Sequence, residues 1–148
     1  MLISVKKAET FAFLLARPEK HSPMKPSDAS PENPIKLLGT MTWIYFTGGS
    51  DSIPVDRALI RGDREMLVES TWDGYHYTVP LSSTDGIRFT ADFPCKTGAD
   101  TWNVRATCKL WANSTGYLLL GTWIEAGEEM HWIVELYESN NKPSMRCS

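Results

Sequence analysis

The chain has 148 residues, 42% hydrophobic and 22% charged, with a formal net charge of −3, the profile of one globular domain around a single core. No run of basic residues exceeds Lys6-Lys7, so the chain lacks the basic stripe with which nucleic-acid binders displace counterions. No stretch approaches the roughly 18 apolar residues of a membrane span, which excludes a spanning helix.

Residues 1–34 differ from the rest. Ser4 to Arg17 can be drawn as a short amphipathic helix with Phe11, Leu14 and Leu15 on one stripe, ended by Pro18, or as a strand. The apolar patch Phe11–Ala16 follows Glu9 and lacks a small-x-small cleavage site, so it does not read as a signal peptide. Pro18, Pro23, Pro26, Pro31 and Pro34 then make a linker or extended arm. Three cysteines, Cys95, Cys108 and Cys147, are sparse and odd in number, which fits a reducing cytoplasm. In a secreted protein, Cys95 with Cys108 would be the pair to expect. Asn113-Ser114-Thr115 matches a glycosylation sequon but reads here as hairpin turn chemistry.

From Ile35 the hydrophobic period is two. The alternation predicts eight strands: Leu37–Thr47, Val55–Arg61, Glu65–Thr71, Tyr75–Leu81, Ile87–Phe93, Trp102–Ala112, Tyr117–Glu125 and Met130–Glu138. Turn-rich separators such as Asp73-Gly74 and Ala126-Gly127 divide them. Four of the six tryptophans follow a threonine, at Trp43, Trp72, Trp102 and Trp123. Both residue types favour strands, so these pairs mark where strands run. Consecutive strands with short connections imply an antiparallel meander, and closure into an eight-stranded barrel would remove its exposed edges. The fold class expected is all-β: a segment at 1–34, a barrel domain at 35–140 and a tail at 141–148.

Several strands show one wet and one dry face. Ile87, Phe89, Ala91 and Phe93 oppose Arg88, Thr90 and Asp92, and Trp102, Val104, Ala106, Cys108 and Leu110 oppose Asn103, Arg105, Thr107 and Lys109. The first, seventh and eighth strands are apolar on both faces, with Ile44, Phe46, Leu118, Leu120, Ile124, Ile133 and Tyr137 expected outside. Such a patch would call for a cover. Phe11, Leu14 and Leu15 could supply it, or a second copy of the chain in a homodimer.

An interior holding Trp43, Tyr45, Tyr75, Tyr77, Phe89, Phe93, Trp102, Tyr117, Trp123 and Trp132 could fill itself or could line a pocket for a small apolar or aromatic ligand. Gly121, Ala91 and Ala106 would leave room beside the rings. Glu125, on the face of Trp123 near a strand end, could stand at the barrel mouth as a further ligand contact, or could be a solvated residue before a turn. Glu129, His131 and Glu135 share one face of the last strand, where they could bind a metal or move a proton, but that face reads as outward. No phosphate loop, nucleophile elbow, metal-ligand spacing or cofactor motif is present. A barrel-hosted enzyme would have to rely on Glu125 as its acid or base.

Ser70-Thr71-Trp72-Asp73-Gly74-Tyr75 and Gly121-Thr122-Trp123 resemble the Gly-x-Trp-type strand starts of the calycin barrels, the lipocalins and avidins. The pattern extends over roughly residues 36–138. It departs at Gly39-Thr40-Met41-Thr42-Trp43, whose spacing is not that of a lipocalin first strand, and in lacking an assignable set of avidin-type polar ligand contacts. The resemblance implies a barrel and, by analogy alone, a binder of small molecules. The other reading is an interaction or assembly module with a filled barrel, using the apolar sector of the first, seventh and eighth strands for its partner.

Overall fold

The computed structural model describes residues 25–138; the segment Ser4–Arg17 and the tail 141–148 lie outside the described residues. Eight strands follow in order: β1 (Ile35–Tyr45), β2 (Ser50–Ile60), β3 (Glu65–Trp72), β4 (Tyr75–Ser82), β5 (Arg88–Thr97), β6 (Asp100–Ala112), β7 (Gly116–Glu125) and β8 (Glu128–Glu138). Each pairs antiparallel with its sequence neighbour, and β1 pairs with β8 from Leu37↔Glu138 to Tyr45↔Met130, which closes the barrel. No helix among the described residues is long and apolar enough to cross a membrane.

β1 ends at Tyr45 and β2 at Ile60, short of the expected Thr47 and Arg61, because turns begin there. Most ladders run further than the hydrophobic alternation reaches, because cross-strand polar pairs continue them. β2 starts at Ser50 rather than Val55: Ser52 meets Thr42 hydroxyl to hydroxyl at 2.8 Å, and the Tyr45 hydroxyl donates to Asp51 at 2.5 Å. β5 continues through Pro94 to Thr97, leaving only Gly98-Ala99 as its connection to β6. Ile87 is a correction. It was expected on the dry face with Phe89, but it stands half exposed before β5, its amide donating to the Asp85 carboxylate at 2.8 Å.

Prolines locate the weakest seam of the wall. Between β4 and β5 the register comprises one pair, Ser82↔Thr90. Pro80 and Pro94 stand on these two strands, and neither can donate to a ladder. Near one end, the Tyr75 hydroxyl bridges the gap by accepting from the Lys96 amide at 3.0 Å.

Inward positions alternate as the sequence implies. Val68, Val79, Val104, Ala106, Leu119, Val134 and Met41 are buried, with the rings of Trp43, Trp123, Trp132, Tyr117 and Phe89 among them. These rings fill the interior. Trp123 alone lies 5.2 Å from Trp132, 5.4 Å from Trp43, 5.9 Å from Tyr77 and 6.0 Å from Phe93 between ring centroids, the spacing at which aromatic pairs attract beyond their area burial. Gly121 leaves no room beside them, contrary to expectation. A Cβ there would lie 1.8 Å from the Thr107 carbonyl oxygen, so β6 backbone occupies the space.

The two barrel ends differ. At one, the turn Pro26–Asp28 leads into Ala29, which is buried in the core cluster beside Ile35 and Ile60. The other end gathers the β1–β2, β3–β4, β5–β6 and β7–β8 connections and is open.

On the outer wall of β1, β7 and β8, the apolar sector is interleaved with polar side chains. Thr40 pairs with Glu135, Thr122 with His131, and Ile44 with His131. Leu118 is nevertheless buried, while Phe46 (59%) and Leu120 (38%) are exposed, with the Phe46 ring 4.8 Å from that of His131. Glu129, His131 and Glu135 face outward and exposed, and no metal-binding group of three ligands exists among the described residues. Cys95 and Cys108 are buried free thiols, so they do not form the disulfide a secreted protein would want. Register explains this: Cys95 lies opposite Trp102 and Cys108 opposite Phe89, far apart along β6.

Candidate functional site

The open end is built by two-residue hairpin turns. Asp73 (φ 53°) with Gly74 (φ 77°), and Ala126 (φ 51°) with Gly127 (φ 82°), place both central residues in the left-handed region, the geometry of a type I′ turn that suits a twisted hairpin. The first turn sets Trp72 opposite Tyr75, and the second sets Glu125 opposite Glu128. These four side chains therefore stand at the mouth because the turns are tight. Asp tolerates a positive φ; Ala does so at a cost of about 1 kcal/mol. Ala126→Asn is accordingly expected to raise stability by about 0.5–1 kcal/mol, read as a shift in the urea midpoint at unchanged slope; a loss of stability would contradict the turn assignment. Ala126 also lines the cleft described next, where a small side chain keeps the entrance wide.

Glu125 is the centre of the mouth. Its Oε1 accepts the Trp123 indole N–H at 2.8 Å, and its Oε2 accepts the Trp102 indole N–H at 2.7 Å and the Tyr77 hydroxyl at 3.2 Å. Three strands (β4, β6 and β7) thus converge on one part-buried carboxylate. Hydrogen bonds to an ionised acceptor are the strong ones, so this cluster fixes the orientation of both indoles. Burial, with the Glu125 charge next, pushes the Tyr77 phenol well above its ordinary value, which keeps it a donor. Tyr75 packs edge-on against Tyr77 at 4.8 Å and lies 5.9 Å from Trp102. Its own pKa is raised, by burial first and then by the Cys95 thiol. The Cys95 thiol is likewise raised by burial, and Cys108 is pushed up to about 12 by burial, so both are inert.

Beside Glu125 lies an open cleft of about 270 Å³ lined by Trp43, Tyr45, Trp72, Tyr77, Glu125, Ala126, Glu128 and Met130. Buried Trp43, Tyr77 and Met130 form its floor, and part-exposed Trp72, Tyr45 and Glu125 its sides. Trp72 stacks on Trp43 at 5.1 Å and 25°. Burial, then the bond to Asp51, pushes the Tyr45 phenol up to about 12.

Of the residues expected to meet a ligand, Trp43, Tyr77 and Glu125 line this cleft. Tyr75, Trp102 and Trp123 support it through Tyr77 and Glu125. Phe89, Tyr117 and Trp132 are buried below and do not line it. The reading of Glu125 as merely a solvated residue before a turn is replaced by a three-donor carboxylate. Tyr45, expected inside with the other rings, stands on the cleft wall, whereas Trp72, Met130 and Glu128 were missed. Parity could have found them, since Trp72 continues the inward set Met66, Val68 and Ser70, and Glu128 continues Met130 and Trp132.

The interior also holds polar atoms without a hydrogen-bond partner among the described residues: Trp43 Nε1, Trp132 Nε1, Ser70 Oγ and Tyr117 OH. Trp43, on the cleft floor, and Trp132 are register partners across β1 and β8. Among the described residues, the indole N–H groups that donate to a carboxylate are those of Trp102 and Trp123.

Comparison of the chain with protein families, with curated proteins and with solved structures finds no match in any of the three.

Proposed function

We propose that this is a small-ligand-binding barrel of calycin-like type that takes its ligand at the open mouth. The observation that carries the reading is the cleft of about 270 Å³ floored by Trp43 and Tyr77 with Glu125 at its side. Small-molecule sites are concave and mostly aromatic or apolar, with a few convergent polar groups. The volume stands at the low end of such sites, which favours a ligand of few heavy atoms. The ring-filled interior favours the mouth over the deep barrel as the place of binding. Glu125 already accepts three hydrogen bonds, an arrangement suited to holding a charge in place rather than to passing a proton.

Titration with indole and with benzyl alcohol, followed by two-dimensional NMR, tests this. Saturable shifts of the Trp72, Trp102 and Trp123 indole N–H signals are expected, with Trp132 little moved. Absence of saturable shifts at the mouth for both probes would remove the reading.

A second reading, a homodimeric or partner-binding module, draws support from exposed Leu120 and Trp111 on the outer wall and exposed Phe46 in the β1–β2 turn. A concentration-dependent mass in light scattering would favour it, and a fixed monomer mass would count against it.

A further inference from the structure

Glu125 has no cationic partner among the described residues. The ion pairs there are Arg57 with Glu69, Arg64 with Asp63 and Arg105 with Asp92, all on the outer wall or the opposite end. The charge around the mouth does not supply one either. Its turns and strand ends, residues 46–51, 72–75, 96–101 and 125–129, carry Asp51, Asp73, Asp100, Glu125, Glu128 and Glu129 against Lys96 alone. The opposite end mixes Arg61, Arg64 and Arg88 with Asp63, Glu65 and Asp85. An aromatic-walled cleft with a part-buried, unneutralised carboxylate in an acidic surround attracts positive charge, both through the carboxylate and through ring faces.

The hydrogen bonds at Glu125 narrow the class further. A carboxylate oxygen accepts about two hydrogen bonds. Oε2 already has two donors and Oε1 has one. Too little acceptor capacity remains for the paired N–H groups of a guanidinium, which needs both oxygens open. An ammonium whose hydrogens are replaced by alkyl groups makes no such demand and presents a diffuse charge to aromatic faces.

We propose that the mouth cleft takes a small alkylated ammonium ion, held by the Glu125 carboxylate against Trp43, Trp72 and Tyr77. This rests on the reading of the mouth as a ligand site and names the chemistry of its ligand.

Choline and its uncharged carbon isostere 3,3-dimethylbutan-1-ol provide the test, since they differ in charge and hardly in shape. In calorimetry on the full chain, choline is expected to bind at least ~tenfold tighter than the alcohol. Raising salt from about 10 mM to about 500 mM should weaken choline and spare the alcohol. Glu125→Gln should abolish the difference between the two, and where that variant fails to fold, the wild-type comparison and its salt dependence decide. Equal affinities in the wild-type chain would overturn the inference while leaving a mouth site that takes indole or benzyl alcohol standing. Silence to choline and to both neutral aromatic probes would overturn inference and site together. Guanidinium is expected to bind at least ~tenfold weaker than tetramethylammonium; equal binding would overturn the assignment to alkylated ammonium.

Discussion

Trp123→Phe is expected to cost clearly more stability than Trp132→Phe, although both rings are fully buried. The two substitutions remove the same atoms and leave cavities of similar size. They differ in one hydrogen bond. Trp123 Nε1 donates to Glu125 at 2.8 Å, while Trp132 Nε1 has no hydrogen-bond partner. A bond to a charged group contributes about 1.5–3 kcal/mol, and an unpartnered buried donor is itself a cost that phenylalanine removes. The expected gap between the variants is therefore about 2 kcal/mol. Trp123→Ala should lose about 3–5 kcal/mol by cavity formation alone, since its ring touches Trp43, Tyr77, Phe93 and Trp132. Urea midpoints at constant slope measure all three variants. Equal losses for the two Phe variants would mean that the carboxylate contributes nothing to holding the aromatic mouth.

Gly39→Ala should be among the most damaging single-methyl changes in the wall. Gly39 pairs with Leu136 across the β1–β8 seam that closes the barrel. A Cβ at this position would sit 1.8 Å from the Glu135 carbonyl oxygen and 3.0 Å from the Leu136 Cα. Those neighbours are backbone and cannot swing aside as a side chain would. The β1 strand also shifts register against β2 between Leu37 and Gly39, so the same glycine sits where the strand bends. A loss of about 3 kcal/mol or more is expected, at or beyond the usual overpacking range. Gly49→Ala is the comparison. Its φ of +85° carries a strain of about 1–2 kcal/mol, but no atom lies within 4 Å of the added carbon. A Gly39 variant no less stable than the Gly49 variant would show that the β1–β8 seam can open at little cost.

The strands and their inward faces were legible because the two-residue period is a local property. Val68 and Val79, or Val104 and Ala106, alternate with polar residues whatever the chain does elsewhere. The tight turns were legible for the same reason, since Asp73-Gly74 carries its own φ preference. Ladder ends were less so. Ser50–Asp51 and Cys95–Lys96 are strand because of the residues opposite them, which local pattern does not encode.

The candidate site belongs mostly to the second kind. Local alternation and turn chemistry suffice for an all-β chain, its eight strands, and the inward parity of Trp43, Tyr77, Trp123 and Glu125. Tertiary structure decided that Glu125 meets Trp102, 23 residues away, and Tyr77, 48 residues away. It also decided that Gly39 and Gly121 meet backbone rather than open space. Parity says only which side of a strand a residue faces. The level at which it stands inside a closed barrel depends on the register of every intervening pair, and that sum is fixed only when β1 meets β8.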